Sequence, residues 1–106
     1  MEMHKCHSKI ENGVLIKFSN KDLNEDGSYT VPSFVAKINK NAFESCEGLK
    51  SIVIHKNVQE IGECAFMNCS ALKSVKLECE TTSIPNLCFW GCSNLKDVEL
   101  SDKITN

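Results

Sequence analysis

Apolar residues along this chain recur at a fixed offset of 23 residues. Phe43, Phe66 and Phe89 keep that spacing, as do Cys46, Cys69 and Cys92. So do Leu49, Leu72 and Leu95. The columns continue through Ile52, Val75 and Val98, then Ile54, Leu77 and Leu100. Ala42, Ala65 and Cys88 precede the Phe column, and Ile38, Ile61 and Ile84 align further along, with Val35 and Val58. Chance does not hold this many apolar columns in phase, and a period of this length is the signature of a stacked-repeat architecture. One step earlier, Tyr29 and Val31 fall on the Ile52 and Ile54 columns, so a partial coil is expected from Ser28 to Lys40.

Each unit has two parts. Ile52 and Ile54 alternate with Ser51, Val53 and His55, the period-2 pattern of a strand with one buried face. The segment Ala42 to Gly48 is too short for a full helix, with Asn41 as its N-cap and Gly48 as its end signal. It is expected to form one helical or 3₁₀ turn on the outer side. Val58 and Ile61 pin the return segment. One such coil cannot bury its own Phe, Leu and Ile residues, whereas stacked coils bury them against the same positions of the next coil.

Gly13 to Phe18 has strand character and is read as an N-terminal cap, paired as a hairpin with Ser28 to Val31 through Asn24–Gly27. Residues 1–27 are thus expected to be a tail and cap, and 28–106 a solenoid of about three repeats plus a partial one, open at its C-terminal end. Ile104 fills the Val58 column and the chain stops two residues later. The expectation is an N-terminal fragment of a longer array, or an open end that self-associates.

The residues Ala42-Phe43-x-x-Cys46-x-x-Leu49-x-x-Ile52-x-Ile54, followed by Val58-x-x-Ile61-Gly62-x-x-Ala65-Phe66-x-x-Cys69, resemble the BspA-type leucine-rich repeat. Leu49 to Asn57 also fits the general pattern L-x-x-L-x-L-x-x-N. Tyr29 to Ile38 looks like that family's entry coil. The resemblance implies an α/β solenoid: a right-handed superhelix with a parallel β-sheet on the concave side and short helical or 3₁₀ turns on the convex side. It also implies adhesion or protein binding, at a bacterial or unicellular-eukaryotic surface. The third repeat departs from the pattern, with Glu80 to Ser83 as a less regular return and Pro85 in place of Gly.

Composition narrows the function classes. The chain of 106 residues is 42% hydrophobic and 25% charged, which suits a globular domain. The formal net charge is −2, and no run of Lys and Arg forms an arm, so nucleic acid is not the expected partner. No apolar run approaches the ~20 residues of a membrane helix. Met1 to Ile10 lacks the apolar core of a secretory signal. Localisation is expected to be the cell surface or secreted if a signal has been removed, and cytoplasmic otherwise.

Candidate chemistry is sparse. The seven cysteines include the Cys46, Cys69, Cys92 ladder, read as small buried residues rather than redox or zinc ligands. His4, Cys6 and His7 are read as incidental residues of a tail. Asp22, Asn24 and Asp26 match the first half of a calcium loop, but the closing carboxylate is missing and the same residues make a turn. Calcium stabilisation is a minor alternative, and no metal or other cofactor is expected. Asn68-Cys69-Ser70 is a formal sequon on a packed position. Cys79 is the one nucleophile beside His55 and Glu78, and alternation points it away, so an enzyme is not expected. The expected binding surface is the concave face: Ser51, Ser74 and Asp97; Val53, Lys76 and Glu99; His55, Glu78 and Ser101. Trp90 is either an exposed hot spot on the convex side or packs over the neighbouring coil. The leading expectation is a protein-interaction or adhesion module, and the rival is a structural spacer.

Overall fold

The computed structural model describes residues 7–79, 84–85 and 87–100. Eight short strands appear in chain order: β1 (Lys9–Glu11), β2 (Val14–Lys17), β3 (Ser28–Thr30), β4 (Lys37–Ile38), β5 (Ser51–Ile54), β6 (Glu60–Ile61), β7 (Ser74–Leu77) and β8 (Asp97–Leu100). They form two four-stranded sheets, β3-β5-β7-β8 and β1-β2-β4-β6. The first sheet is the one the alternating pattern predicts. Its strands are all parallel, and its register is the sequence period itself: Ser51 pairs with Ser74 and Ser74 with Asp97, each 23 residues on. Ile52 and Val75 point inward while Ser51 and Ser74 stay half-buried on the other side.

The second sheet was legible as a strand only at β2, within Gly13–Phe18. Its repeated members are only two residues long, too short to display an alternation. Yet Val14 pairs with Lys37 and Lys37 with Glu60, while Leu15, Ile38 and Ile61 follow one another inward. The repeat register therefore begins at Val14 rather than at Ser28. The hairpin expected between Gly13–Phe18 and Ser28–Val31 does not form. β2 pairs instead with β1 in antiparallel fashion, across a turn in which Asn12 and Gly13 both have positive φ. That backbone is the one tight hairpin turns require, and Asn-Gly is the dipeptide that supplies it.

The outer segments also differ from expectation. Among the described residues the one helical element is a 3₁₀ turn, Asn20–Asp22, capped by Ser19. Ala42–Gly48 and its equivalents are chains of turns closed by bonds from residue i to i−3, such as Cys46 N–H to the Phe43 carbonyl at 3.2 Å. A left-handed residue falls at Asn41, Cys64 and Leu87, and again at Ser45, Asn68 and Gly91. Two such residues per segment prevent a helix and turn backbone groups toward the next coil. The result is a third row of coil-to-coil hydrogen bonds: Asn41, Phe43 and Ser45 donate to Glu63, Ala65 and Met67.

The core fills the space between these rows. Phe43 and Phe66 are fully buried, with ring centroids 4.8 Å apart, and Phe89 continues the stack at 5.4 Å. Phe18 heads it, 4.6 Å from Phe43. Phe18 lies 25 residues before Phe43, not 23, which hid it from the repeat. Burying each such side chain contributes about 1.5–3 kcal/mol, and offset stacking adds about 0.5–1.5.

Candidate binding surface

The strand alternation that buries Ile52 and Val75 turns Ser51, Val53, Ser74 and Lys76 outward. Parallel register then sets Ser51, Ser74 and Asp97 side by side, and Val53, Lys76 and Glu99 side by side. These residues line a trough of about 760 Å³, together with Ile52, Val75, Val98 and Lys96. The Lys76 ammonium lies 3.4 Å from Glu78 and 3.9 Å from Glu99, so the trough carries its own ion-pair network. The participants are largely exposed, which makes each pair worth less than ~1 kcal/mol.

His55 follows the strand but its ring is already engaged. Its Nδ1 accepts the Asn57 N–H at 3.1 Å, which leaves Nε2 as the protonated nitrogen, donating to the Pro32 carbonyl at 2.6 Å. Asn57 extends the same tie by donating from Nδ2 to the Ser33 carbonyl at 3.2 Å. His55 thus binds one coil to the preceding one, a use that its column position did not reveal. Glu78 sits beside Lys76, and Ser101 lies outside the described residues. Trp90 is 57% exposed on the outer turns, away from the trough.

The cysteine ladder has a packing role. Cys69 Sγ donates to the Phe43 carbonyl at 3.0 Å, and Cys92 Sγ to the Phe66 carbonyl at 3.1 Å. Each thiol satisfies a turn carbonyl of the coil before it. A neighbouring Cys46 and burial push the Cys69 thiol well up, and burial pushes Cys88 up to about 12. Cys46 moves down, chiefly through its contact with the Cys69 side chain. Cys79 is fully buried.

The acidic residues of the early loop are separately engaged. Asp22 accepts the N–H groups of His7 and Ser8, at 3.0 and 2.7 Å. Asp26 accepts from Ser28 N and Oγ, which holds its carboxyl below the ordinary value. No group of three His, Cys, Asp or Glu side chains suited to a metal occurs among the described residues. His4 and Cys6 lie outside them. No helix among the described residues is long and apolar enough to cross a membrane.

Parallel strands in 23-residue register, with Phe, Cys and Leu spines behind them, define a leucine-rich repeat solenoid. The model of the family described as BspA type leucine rich repeat region matches residues 16–106 in six copies, and the chain belongs to that family. Among solved structures it is similar to a leucine-rich repeat protein from Eubacterium ventriosum, with 25% identity and a TM-score of 0.65. That match covers 85% of this chain and 30% of the other. A leucine rich cell surface protein from Faecalibacterium prausnitzii matches at 25% identity and a TM-score of 0.49, over 83% of this chain and 35% of that one. This chain therefore spans about a third of the length of either. No curated protein matches the sequence.

Proposed function

We propose that this chain is a non-catalytic protein-interaction module, and that a protein partner docks on the open face of the β3-β5-β7-β8 sheet. The observation that carries this reading is the in-register trough, where polar columns from three neighbouring strands stand side by side. In a repeat solenoid such a surface extends coil by coil without disturbing the core. Residues 1–27 act in this reading as the cap and 28–106 as the binding array. The sheet face is taken as concave and the winding as right-handed, in line with the family resemblance. Surface exposure of the parent protein, and an adhesive role for it, belong to the same proposal.

The test presents the immobilised chain to candidate surface proteins beside two variants, Lys76→Ala/Glu99→Ala and Trp90→Ala. A partner kept by the parent and by Trp90→Ala, and lost with the double variant, is the expected result. One specific observation favours the spacer reading: Lys76 is already neutralised by Glu78 and Glu99. Under that reading the double variant retains whatever the parent retains.

A further inference from the structure

Cys46 and Cys69 hold the same position of neighbouring coils, 23 residues apart. The outer turns that carry them are tied together just upstream. Phe43 N–H donates to the Ala65 carbonyl at 2.7 Å, and Ser45 N–H to the Met67 carbonyl at 2.8 Å. Such rungs hold equivalent backbone positions at the strand-like spacing of ~4.8 Å. One acceptor then brings the two cysteines together. The Phe43 carbonyl takes the Cys46 N–H at 3.2 Å and the Cys69 thiol at 3.0 Å. Cys69 Sγ thus reaches back to lie beside Cys46, and the two side chains are in hydrogen-bond contact.

The coil spacing falls inside the roughly 4.4–6.8 Å between Cα atoms that a disulfide bridges. Both thiols are free. Lys17 donates from Nζ to the Asn41 carbonyl at 3.3 Å, and its positive charge is felt at both sulfurs. Cys46 keeps 6% exposure, whereas Cys69 has none. A nearby lysine and access to solvent mark the reactive member of a cysteine pair. The next rung repeats the shared carbonyl, with Phe66 accepting from Cys69 N–H at 3.3 Å and from Cys92 Sγ at 3.1 Å. Burial pushes the Cys92 thiol up, however, so Cys46 is the attacking residue and Cys69 its resolving partner.

We infer that Cys46 and Cys69 form a disulfide when the protein meets a hydroperoxide, stapling their two coils together. The Cys46 thiolate attacks one oxygen of hydrogen peroxide. The O–O bond breaks, and the departing hydroxide takes up the proton that Cys46 gave up. The resulting sulfenic acid condenses with the neighbouring thiol. The Cys69 sulfur bonds to the Cys46 sulfur, the S–O bond breaks, and the hydroxyl leaves as water with the Cys69 proton. Two thiols are oxidised and one peroxide is reduced to two waters. The Phe43 carbonyl loses the Cys69 thiol but keeps the Cys46 N–H. The bridge closes one whole coil of the unfolded chain, and restricting the unfolded state in this way stabilises the folded stack. The pair belongs to the outer turns and not to the trough, so the inference does not rest on the protein-partner reading.

The test treats the folded full chain with hydrogen peroxide, alkylates the remaining thiols and maps tryptic peptides by mass spectrometry. Cleavage after Lys40, Lys50, Lys56 and Lys73 places Cys46 in peptide 41–50 and Cys69 in peptide 57–73. The expected product is these two peptides linked, lighter than their sum by two hydrogens and separated by dithiothreitol. Fragmentation should place the link at Cys69, not at Cys64 of the same peptide. The oxidised chain should unfold at a higher urea concentration than the reduced one, and Cys46→Ala should abolish that difference. Mapping uses the parent chain, so it stands even if the variant fails to fold. The inference is overturned if both thiols are still alkylated after peroxide, or if the link falls on Cys64, Cys92 or a second chain. It is likewise overturned if Cys46 ends as a sulfinic acid beside a free Cys69, or if the urea midpoint does not rise.

Discussion

Val75 and Val98 occupy the same position of neighbouring coils, yet one is 2% exposed and the other 43%. Leu77 and Leu100 repeat the contrast, at 1% and 47%. The residue types match, the strand pairing matches, and the inward direction matches. The difference is that β7 lies between β5 and β8, while no strand among the described residues lies beyond β8. Burial here is conferred by the adjacent coil, not by the coil that owns the residue. Stability in such a molecule is a sum of interfaces between neighbours.

The strongest test of that contrast is a pair of truncations in the aromatic stack. Phe66 has rings on both sides, at 4.8 and 5.4 Å, whereas Phe89 has a described ring only at Phe66 and is partly buried. Phe66→Ala should cost about 3–5 kcal/mol, and Phe89→Ala about half as much, since less area leaves water. Urea midpoints at constant slope would measure both. Equal losses would break the comparison.

The second contrast sets Gly62 against Pro85, one coil later in the same column. A Cβ on Gly62 would lie 2.7 Å from Lys40 Cα and 2.8 Å from the Asn39 carbonyl carbon. Backbone, not a flexible side chain, blocks it, because Gly62 N–H also donates to the Ile38 carbonyl at 2.8 Å. Gly62→Ala should therefore cost about 1–3 kcal/mol as overpacking. Thermal melting would show this as a lowered midpoint. A neutral result would mean that the coils can slide apart there.

These positions also show what was readable in advance. Ile52, Ile54, Val75 and Leu77 announce their strands, because four alternating residues at a fixed period leave one solution. Lys37–Ile38 and Glu60–Ile61 do not, since two residues carry no alternation. Phe18 was missed for a different reason. The first coil is two residues shorter before its aromatic and two longer after it, where the 3₁₀ turn Asn20–Asp22 sits. The left-handed residues were hidden too, because Cys64 and Leu87 are not side chains that signal positive φ. At the candidate surface, the columns followed from the period alone. The engagement of His55 with Pro32 did not, for it depends on where the preceding coil leaves a free carbonyl.

A smaller effect separates Ala65 from Cys88, which share a column in the sealed and the last coil. Burial raises the Cys88 thiol from the ordinary 9.0 to about 12. The unfolded chain therefore loses its proton first as pH rises above 9, and stability falls until the folded thiol also ionises near 12. The loss should be about 1 kcal/mol at pH 10. Cys69 and Cys92 shift in the same direction and add to it, while Cys46 opposes it. Cys88→Ala, which restores the residue of the earlier coils, should flatten the decline between pH 9 and 11 while leaving stability at pH 7 nearly unchanged. An undiminished decline would assign the alkaline lability elsewhere.

The smallest contrast lies on the outer turns. Asn41 and Leu87 hold the same left-handed backbone, with φ of 61° and 60°. Asn adopts this region readily, whereas a branched apolar side chain crowds its own carbonyl there. Leu87 is 53% exposed, so it has limited packing to offset the strain. Asn41 also gains a bond, donating from Nδ2 to Glu44 at 3.1 Å, at a place where the last coil has Trp90 instead. Leu87→Asn should therefore stabilise the chain by about 0.5 kcal/mol, the modest difference between left-handed costs. A raised urea midpoint with an unchanged slope is the expected signature. A lowered midpoint would show that Leu87 packs against the turn more strongly than its backbone is strained. The last coil would then owe part of its order to its own outer residues rather than to the coil beneath it.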